Sequence, residues 1–368
     1  MRIGFLVRRL NQLRHVEGAI RAAHARGHEP VLILDQRGPR TGPKGGEWPD
    51  PDLIPARLTR WAGLDFYGEA KLCDALVVPA PLGVRHEDLP KAQVYAAVQT
   101  SVTDALSLRE EWLWMAAFYT WSAGWDEWRM QARRWLGTPI RSTPVGLPVA
   151  EHLTWIDPAE VRRTLDLPAG QICVYLPFPF GAHAQPWSIR YVYRLSPWGD
   201  RATVKATRRY CDRHGLALVV KSRAKTPVPQ YLWDVADRVI EADEPGEPTL
   251  LRLLTCASLM VHHLSTGVTE AMAAGVPVLG IAPEWWTAYE DRGQAFSPKS
   301  ERSFYHWFPC AILAPPSTAH AVLSHPSVHL HGFEMNVPTR RAYVDRYLGG
   351  EPFMAGQNIV ADLERRLA

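Results

Sequence analysis

The sequence SLMVHHLSTGVTEAMAAGVPVLGI, residues 258–281, contains two apolar runs separated by a polar turn and a stretch of small residues. The runs at 259–263 and 276–281 predict two buried strands, and the segment from about Val268 to Gly275 predicts a helix between them. A strand, a helix and a second strand in this order form a parallel pair with a right-handed crossover. The stretch therefore predicts an α/β fold built on a parallel sheet.

The turn after the first of these strands has a composition suited to an anionic ligand. Ser265, Thr266 and Gly267 follow two histidines and carry no bulky side chain. The N–H groups at the start of the next helix, and the positive end of its dipole, suit a pyrophosphate. Glu270 lies one turn into this helix, within reach of a ribose hydroxyl pair. The alternative is an ordinary strand–helix–strand unit in which Ser265 caps the helix.

The same alternation of strands and helices occurs in both halves of the chain. The first half begins with apolar runs at 2–7 and 31–34, around a segment of helical spacing that ends at Gly27. Further strands are predicted at 75–80, 93–99, 172–178 and 216–221, and further helices at 199–214, 230–240 and 250–257. We predict two domains, 1–150 and 151–345, and a helix within 346–368 that packs back towards the first domain.

The bulk composition is that of an ordinary globular protein. The 368 residues, 46% hydrophobic and 21% charged, are enough for two hydrophobic cores. A net charge of +3 without a long basic run argues against nucleic acid as the main partner. Five widely spaced cysteines predict reduced, buried thiols in a cytoplasmic protein, with no metal site and no cofactor. No apolar run is long enough for a signal-peptide core or a membrane-spanning helix.

Residues 258–281 resemble the donor-binding element of GT-B glycosyltransferases and of the related nucleotide-sugar 2-epimerases. Together with LLRLLTCASLMV (250–261), they also resemble the glycerophosphotransferases that build teichoic-type polymers. The likeness extends to RHVEGAIRAAHARGHEPVLI (14–33) and to STPVGLPVAEHL (142–153). It implies an α/β protein of two Rossmann-like domains facing each other across a cleft. It also implies a nucleotide-sugar donor, with UDP as the expected nucleotide.

The resemblance assigns donor-binding roles to residues of the second domain. Lys221 and Arg223 stand at the end of a predicted strand, where open α/β sheets bind ligands. The related enzymes often have a lysine or arginine near this strand to neutralise phosphate, and the alternative is a solvated strand end. The predicted donor-binding residues are Lys221, Arg223, His263, Ser265, Thr266, Gly267 and Glu270.

Two residues of the first domain are candidates for a general base. His15 lies at the beginning of the first predicted helix, directly after the first strand. Many inverting glycosyltransferases have a base at this place, and an imidazole titrates near neutrality. Asp104 follows the predicted strand at 93–99 and is the second candidate. The alternative for His15 is a surface or helix-capping role.

A tryptophan-rich run, EWLWMAAFYTWSAGWDEWRMQARRWLG, occupies residues 111–137. Its spacing predicts a helix with four of the six tryptophans roughly along one face. Such a helix packs on the sheet, offers an aromatic platform to a sugar or lipid-linked acceptor, or forms a patch for peripheral membrane contact. The sequence leaves these three interpretations open. The six are Trp112, Trp114, Trp121, Trp125, Trp128 and Trp135.

Together these patterns predict a GT-B glycosyltransferase that moves a sugar, or a similar group, from a nucleotide-diphosphate donor to a hydroxyl acceptor. Helix N–H groups and cations would stabilise the leaving diphosphate, so that no metal is required. The alternatives are a nucleotide-sugar 2-epimerase, a non-catalytic nucleotide-sugar-binding module and a glycosyltransferase that acts on nucleic acid.

Overall fold

The computed structural model describes residues 1–35, 51–63, 73–79, 89, 92–100, 115–125, 142–177, 188–222, 228–241, 243–263, 265–281 and 312–368. Its strands are β1 (Arg2–Val7), β2 (Glu29–Leu34), β3 (Ala62–Gly63), β4 (Ala75–Pro79), β5 (Val94–Val98), β6 (Ala117–Thr120), β7 (Ser142–Pro144), β8 (Ile172–Leu176), β9 (Ala217–Lys221), β10 (Arg238–Ile240), β11 (Ala257–His263), β12 (Val278–Ile281) and β13 (Ile312–Ala314). Its α-helices are α1 (Leu13–Ala25), α2 (Ala56–Thr59), α3 (Pro158–Thr164), α4 (Ser188–His214), α5 (Gln230–Trp233), α6 (Thr249–Leu254), α7 (Val268–Ala274), α8 (Pro316–Ser324), α9 (Val337–Tyr343) and α10 (Ala355–Leu367). Short 3-10 segments lie at Leu10–Gln12, Pro51–Leu53, Pro148–Thr154 and Leu330–Phe333, and a π-helical turn lies at Val344–Leu348.

The chain divides into two compact units, and each unit is assembled from separated segments. Unit 1 comprises Met1–Thr154, Glu244–Pro248 and Val344–Ala368. Unit 2 comprises Trp155–Asp243 and Thr249–Tyr343. After Thr154 the chain therefore returns to unit 1 twice.

The sheet of unit 1 is parallel, with strand order β3-β2-β1-β4-β5-β6-β7. β1 pairs with β2 along its whole length, from Arg2 opposite Glu29 to Val7 opposite Leu34. The five residues from Ile3 to Val7 are buried, as a parallel strand covered on both faces requires. Helices α1 and α10 share one hydrophobic core with the alternate side chains of β1, β4 and β5.

Helices α1 and α10 approach each other closely because both have a glycine at the crossing. A Cβ atom on Gly356, at the start of α10, would overlap with the backbone of Gly18 in α1. The 3-10 segment Pro148–Thr154 joins the same junction, where the Oε2 atom of Glu151 accepts a hydrogen bond of 2.8 Å from the Gly356 N–H. The segment Ala355–Leu367 is thus fixed to unit 1 through its first turn.

The sheet of unit 2 is also parallel, with strand order β10-β9-β8-β11-β12-β13. Met260 in β11 lies opposite Val174 in β8 on one side and opposite Val278 in β12 on the other. Helices α4 and α8 contribute buried side chains such as Tyr210 and Leu323 to the core on one face. The two sheets confirm the predicted α/β class and its doubled pattern.

The predicted helix at 230–240 is wrong over its second half. Helix α5 ends at Trp233, and Arg238–Ile240 forms the edge strand β10, with Val239 opposite Val220 of β9. Asp237 fixes this pairing, because its N–H donates to the Leu218 carbonyl and its carboxylate accepts from the Leu218 N–H at 2.6 Å. Sheet pairing thus overrides a helical spacing that is only a few residues long.

The predicted helix across the tryptophan-rich run is wrong at residues 117–120, which form strand β6 in the sheet of unit 1. Trp121 and Trp125 are buried beside it, with ring centroids 5.7 Å apart in an edge-to-face arrangement. Their indole N–H groups donate to the carbonyls of Gln99 and Tyr347, at 2.9 and 2.7 Å. These two tryptophans are core residues and cannot form a platform for a sugar. Trp112, Trp114, Trp128 and Trp135 lie outside the described residues.

Two further sequence predictions concern cysteines and the membrane. Cys73, Cys173, Cys211 and Cys256 are buried and form no disulfides, while Cys310 lies outside the described residues. Across the ranges given above, no helix has both the length and the apolar character needed to cross a membrane.

Candidate functional site

The strand order of each sheet reverses at one point, and that point locates the candidate sites. In unit 2 the chain runs from β8 outward through β9 to β10 and then returns to the other side of β8 as β11. In unit 1 the same reversal lies between β1 and β4. Open parallel sheets bind ligands beside the carboxyl ends of the two strands that flank such a reversal. In unit 2 these ends are Leu176 and His263.

His262, the penultimate residue of β11, has a structural role in the turn that follows. Its ring is buried, and its Nδ1 atom accepts a hydrogen bond of 2.9 Å from the Ser265 N–H. Burial, together with the neighbouring His263, lowers the pKa of His262 to about 3. The ring is therefore neutral at pH 7 and orients the turn.

His263, the last residue of β11, reaches across to the neighbouring strand at the reversal point. Its Nε2 atom lies 3.0 Å from the hydroxyl oxygen of Tyr175 in β8. The two rings meet edge to face, with centroids 6.0 Å apart. This pair joins the carboxyl ends of β8 and β11, where the fold predicts a ligand.

The turn Ser265–Gly267 leads into α7, which begins at Val268 as predicted. The Ser265 hydroxyl accepts a hydrogen bond of 3.1 Å from the Gly267 N–H. The N–H groups of Val268 and Thr269 donate to the carbonyls of Ser265 and Thr266, at 3.3 and 3.1 Å. A phosphate at this turn would have to replace or share these local hydrogen bonds.

Position 267 is buried, and it requires a glycine for a reason that the sequence did not indicate. A Cβ atom at this position would lie 2.7 Å from Cδ2 of Leu250 and 3.1 Å from Cδ1 of Leu176. The backbone of Gly267 has φ of −57°, which any residue adopts, so conformation is not the reason for a glycine here. Close packing of the turn against α6 and β8 accounts for it.

Glu270 and Lys221 are the two charged donor-site candidates within the described residues. Glu270 is the third residue of α7 and is partly buried. Lys221 ends β9, is almost fully buried, and places its Nζ atom 2.9 Å from Oδ1 of Asp243. Its charge already has a partner, so a phosphate there would compete with Asp243. Arg223 lies outside the described residues.

His15 occupies the third position of α1, after the carboxyl end of β1 in unit 1. It is 5% exposed, and its Nδ1 atom has no hydrogen-bond partner within the described part of the chain. The Nε2 atom lies 3.3 Å from Nε of Arg14, which always donates, so the neutral ring carries its proton on Nδ1. Burial lowers the pKa of His15 well below 6.5, and the charges of Arg14 and His152 lower it further. Asp104 lies outside the described residues.

A buried ion-pair network lies next to His15 and was not predicted. The carboxylate of Glu17 is fully buried and accepts two hydrogen bonds from Arg57, at 2.7 and 2.9 Å. Arg57 also pairs with Glu247, and Arg21 pairs with Glu17. Burial alone would raise the pKa of Glu17, but the hydrogen bonds from Arg57 lower it. The sequence does contain one signal for this network, because Glu17 falls on the apolar face of the predicted first helix.

Metal binding has no support within the ranges that the structure describes. No group of three or more His, Cys, Asp or Glu side chains is arranged there to hold a metal ion.

No protein-family model and no curated protein sequence matches the chain. Solved structures match it over its whole length. A variant of the wall teichoic acid polymerase TagF aligns with 100% of this chain and 89% of its own, at 10% identity and a TM-score of 0.62. The UDP-GlcNAc 2-epimerase of Methanocaldococcus jannaschii, in complex with UDP-GlcNAc and UDP, aligns with 99% of this chain and 100% of its own, at 13% identity and a TM-score of 0.52.

These neighbours have the GT-B fold, and so has this chain. The predicted fold class is thereby confirmed, and so is the resemblance to GT-B proteins as a likeness of fold. At such low identity the likeness concerns the fold.

Proposed function

We propose that the chain is a GT-B glycosyltransferase that moves a sugar, or a similar group, from a nucleotide-diphosphate donor to a hydroxyl acceptor. The observation that carries the proposal is the reversal point of unit 2. There the His263–Tyr175 pair joins the carboxyl ends of β8 and β11, and the turn Ser265–Gly267 opens α7 beside them. Ligands of open α/β sheets bind at this place.

The donor occupies this edge of unit 2 in the proposal. Glu270 accepts hydrogen bonds from the ribose hydroxyls, and the diphosphate lies at the turn. The N–H groups of the turn already have local acceptors, so the phosphate oxygens share them in three-centre hydrogen bonds. Lys221 exchanges its contact with the partly exposed Asp243 for a phosphate oxygen, and Arg223 is a second candidate for that role. UDP is the proposed nucleotide.

The acceptor side is proposed to use His15 as the general base. Its lowered pKa keeps the ring neutral at pH 7, as a base requires. Because Arg14 occupies Nε2, the arginine has to turn away before that atom can take the proton of an acceptor hydroxyl. Asp104 is the alternative base.

The test is incubation of the full chain with UDP- and CDP-activated donors, with and without hydroxyl acceptors. We expect release of the nucleotide that depends on the acceptor. Epimerisation of the donor without an acceptor would assign the chain to the 2-epimerases, and binding without turnover would make it a binding module. The absence of any nucleotide binding would contradict the proposal.

The base is tested with His15→Ala and its control His24→Ala, an exposed histidine on the same helix. We expect His15→Ala to lower turnover by about 100- to 10,000-fold with nearly unchanged donor affinity. The acidic limb of the pH–rate profile, which lies well below pH 6.5 because the pKa is lowered, disappears in this variant. Turnover that survives within a few-fold removes His15 from the mechanism.

A further inference from the structure

A cavity of about 420 Å³ opens at the amino-terminal ends of β1 and β2 in unit 1. Arg2 and Glu29, which begin these strands and lie opposite each other in the sheet, form part of its lining. His15 follows the carboxyl end of β1, at the opposite end of the strands from the cavity. The cavity is therefore separate from the acceptor site proposed in unit 1, and its volume lies within the range of small-molecule sites.

The lining of the cavity has more basic than acidic side chains. Two arginines, Arg2 and Arg60, and two histidines, His24 and His28, line it together with one carboxylate, that of Glu29. Glu29 is largely exposed and lies 3.5 Å from Nε of Arg2. With two arginines against one carboxylate, this concave surface carries an excess of positive charge, which attracts anions.

Arg60 is held in place by an aromatic ring. Its guanidinium lies 4.0 Å above the ring of Trp61, and His24 meets the same indole edge to face at 5.7 Å. Among the described residues, Arg60 has no carboxylate within ion-pair distance and no side-chain hydrogen bond. Stacking occupies the flat face of a guanidinium and leaves the N–H groups along its edge able to donate.

We propose that this cavity binds a small organic phosphomonoester, with the phosphate on Arg60 and Arg2 and the organic part in the remaining volume. The forked N–H groups of arginine match phosphate geometry. A phosphomonoester carries nearly two negative charges at pH 7, which suits a site with two fixed cations. The proposal does not depend on the transferase activity, and its failure would leave that activity unaffected.

The test is fluorine NMR of the full chain labelled with 5-fluorotryptophan. The resonance of Trp61 is identified by its loss in the Trp61→Phe variant. We expect glycerol 3-phosphate to shift this resonance, and Arg60→Gln to weaken binding about tenfold or more. Arg60→Lys keeps the charge without the fork and should bind with intermediate affinity. The matched control is Arg201→Gln, because Arg201 also stacks on an aromatic ring, that of Tyr231, but does not line the cavity.

Two further ligands test where the phosphate comes from and whether a phosphate is required. Vesicles containing phosphatidic acid that bind the wild type, but not Arg60→Gln, would show that a lipid headgroup supplies the phosphomonoester. Succinate tests whether any dianion suffices, and binding as tight as that of glycerol 3-phosphate would overturn the phosphate assignment. Affinity that is unchanged in Arg60→Gln, or no response to either phosphate ligand, would overturn the site itself.

Discussion

At the scale of single residues, Glu270 gives the most direct test of the donor site. Glu270→Ala should weaken nucleotide binding by about 1.5–3 kcal/mol, because hydrogen bonds between a charged group and the ribose are lost. Isothermal titration calorimetry with the nucleotide measures this loss of binding free energy. Glu160→Ala is a matched control, since Glu160 is also the third residue of a seven-residue helix in unit 2. Equal affinities of the two variants would remove Glu270 from the site.

A second residue-scale prediction concerns the packing of Gly267. Gly267→Ala should lower the free energy of unfolding by about 1–3 kcal/mol, because its Cβ meets Leu250 at 2.7 Å. Urea denaturation measures the change. Gly332→Ala, whose Cβ meets nothing closer than 3.9 Å, should be nearly neutral. Adding Leu250→Ala creates space, so the double variant should lose less than the sum of the single changes. A stable Gly267→Ala protein that no longer binds nucleotide would instead assign this glycine to phosphate approach.

The end of β11 shows which parts of the site a sequence can predict. The paired histidines, the turn and the start of α7 at Val268 are local features, and the end of the apolar run marks them. The contact between Tyr175 and His263 joins residues 88 positions apart and depends on β8 lying beside β11. The partner of Lys221, Asp243, likewise appears only once the chain is folded.

At the scale of elements, the junction of α1, α10 and the 3-10 segment should make unit 1 sensitive to pH. Burial raises the pKa of Glu151 to about 7, against 4.5 for an ordinary glutamate. Between these values the native state binds the proton more tightly than the unfolded state. The proton on Glu151 therefore adds fully to the free energy of unfolding below pH 4.5. This contribution falls by up to about 1.4 kcal/mol per pH unit as the pH rises towards 7.

Glu151→Gln tests this, because an amide oxygen can still accept the hydrogen bond from the Gly356 N–H. The free energy of unfolding of the variant, relative to wild type, should rise as the pH is raised from 4.5 to 7.5. Urea denaturation at several pH values measures the difference. Parallel curves for the two proteins would mean that the Glu151 carboxyl titrates normally.

Elements differ in how well the sequence predicts them. Strands β1, β2, β8, β9 and β11, which are five to seven residues long, follow from apolar runs that parallel sheets bury on both faces. The short strands β6 and β10 lie in segments with helical spacing, and their pairing with neighbouring strands decides their structure. That pairing involves residues far apart in the sequence, so no local window contains it.

At the scale of the whole molecule, the division into two units predicts separate stabilities. Ile359→Ala removes a buried side chain of α10 and should cost unit 1 about 2–5 kcal/mol. Leu323→Ala is the counterpart in unit 2. Amide hydrogen exchange followed by mass spectrometry should then show faster exchange of β1 peptides in the first variant and of β11 peptides in the second. Faster exchange of both peptides in both variants would show one cooperative unit.

The packing of α10 against α1 also has a consequence for biosynthesis. Ala25 and Ala355 are 330 positions apart in the chain. At about 5–20 residues per second, a ribosome needs roughly 15 to 65 seconds to translate the intervening residues. During this interval the apolar face of α1 lacks Ile359, Val360 and Leu363, which belong to the same core. The apolar face of α1 therefore stays partly uncovered until α10 has left the exit tunnel.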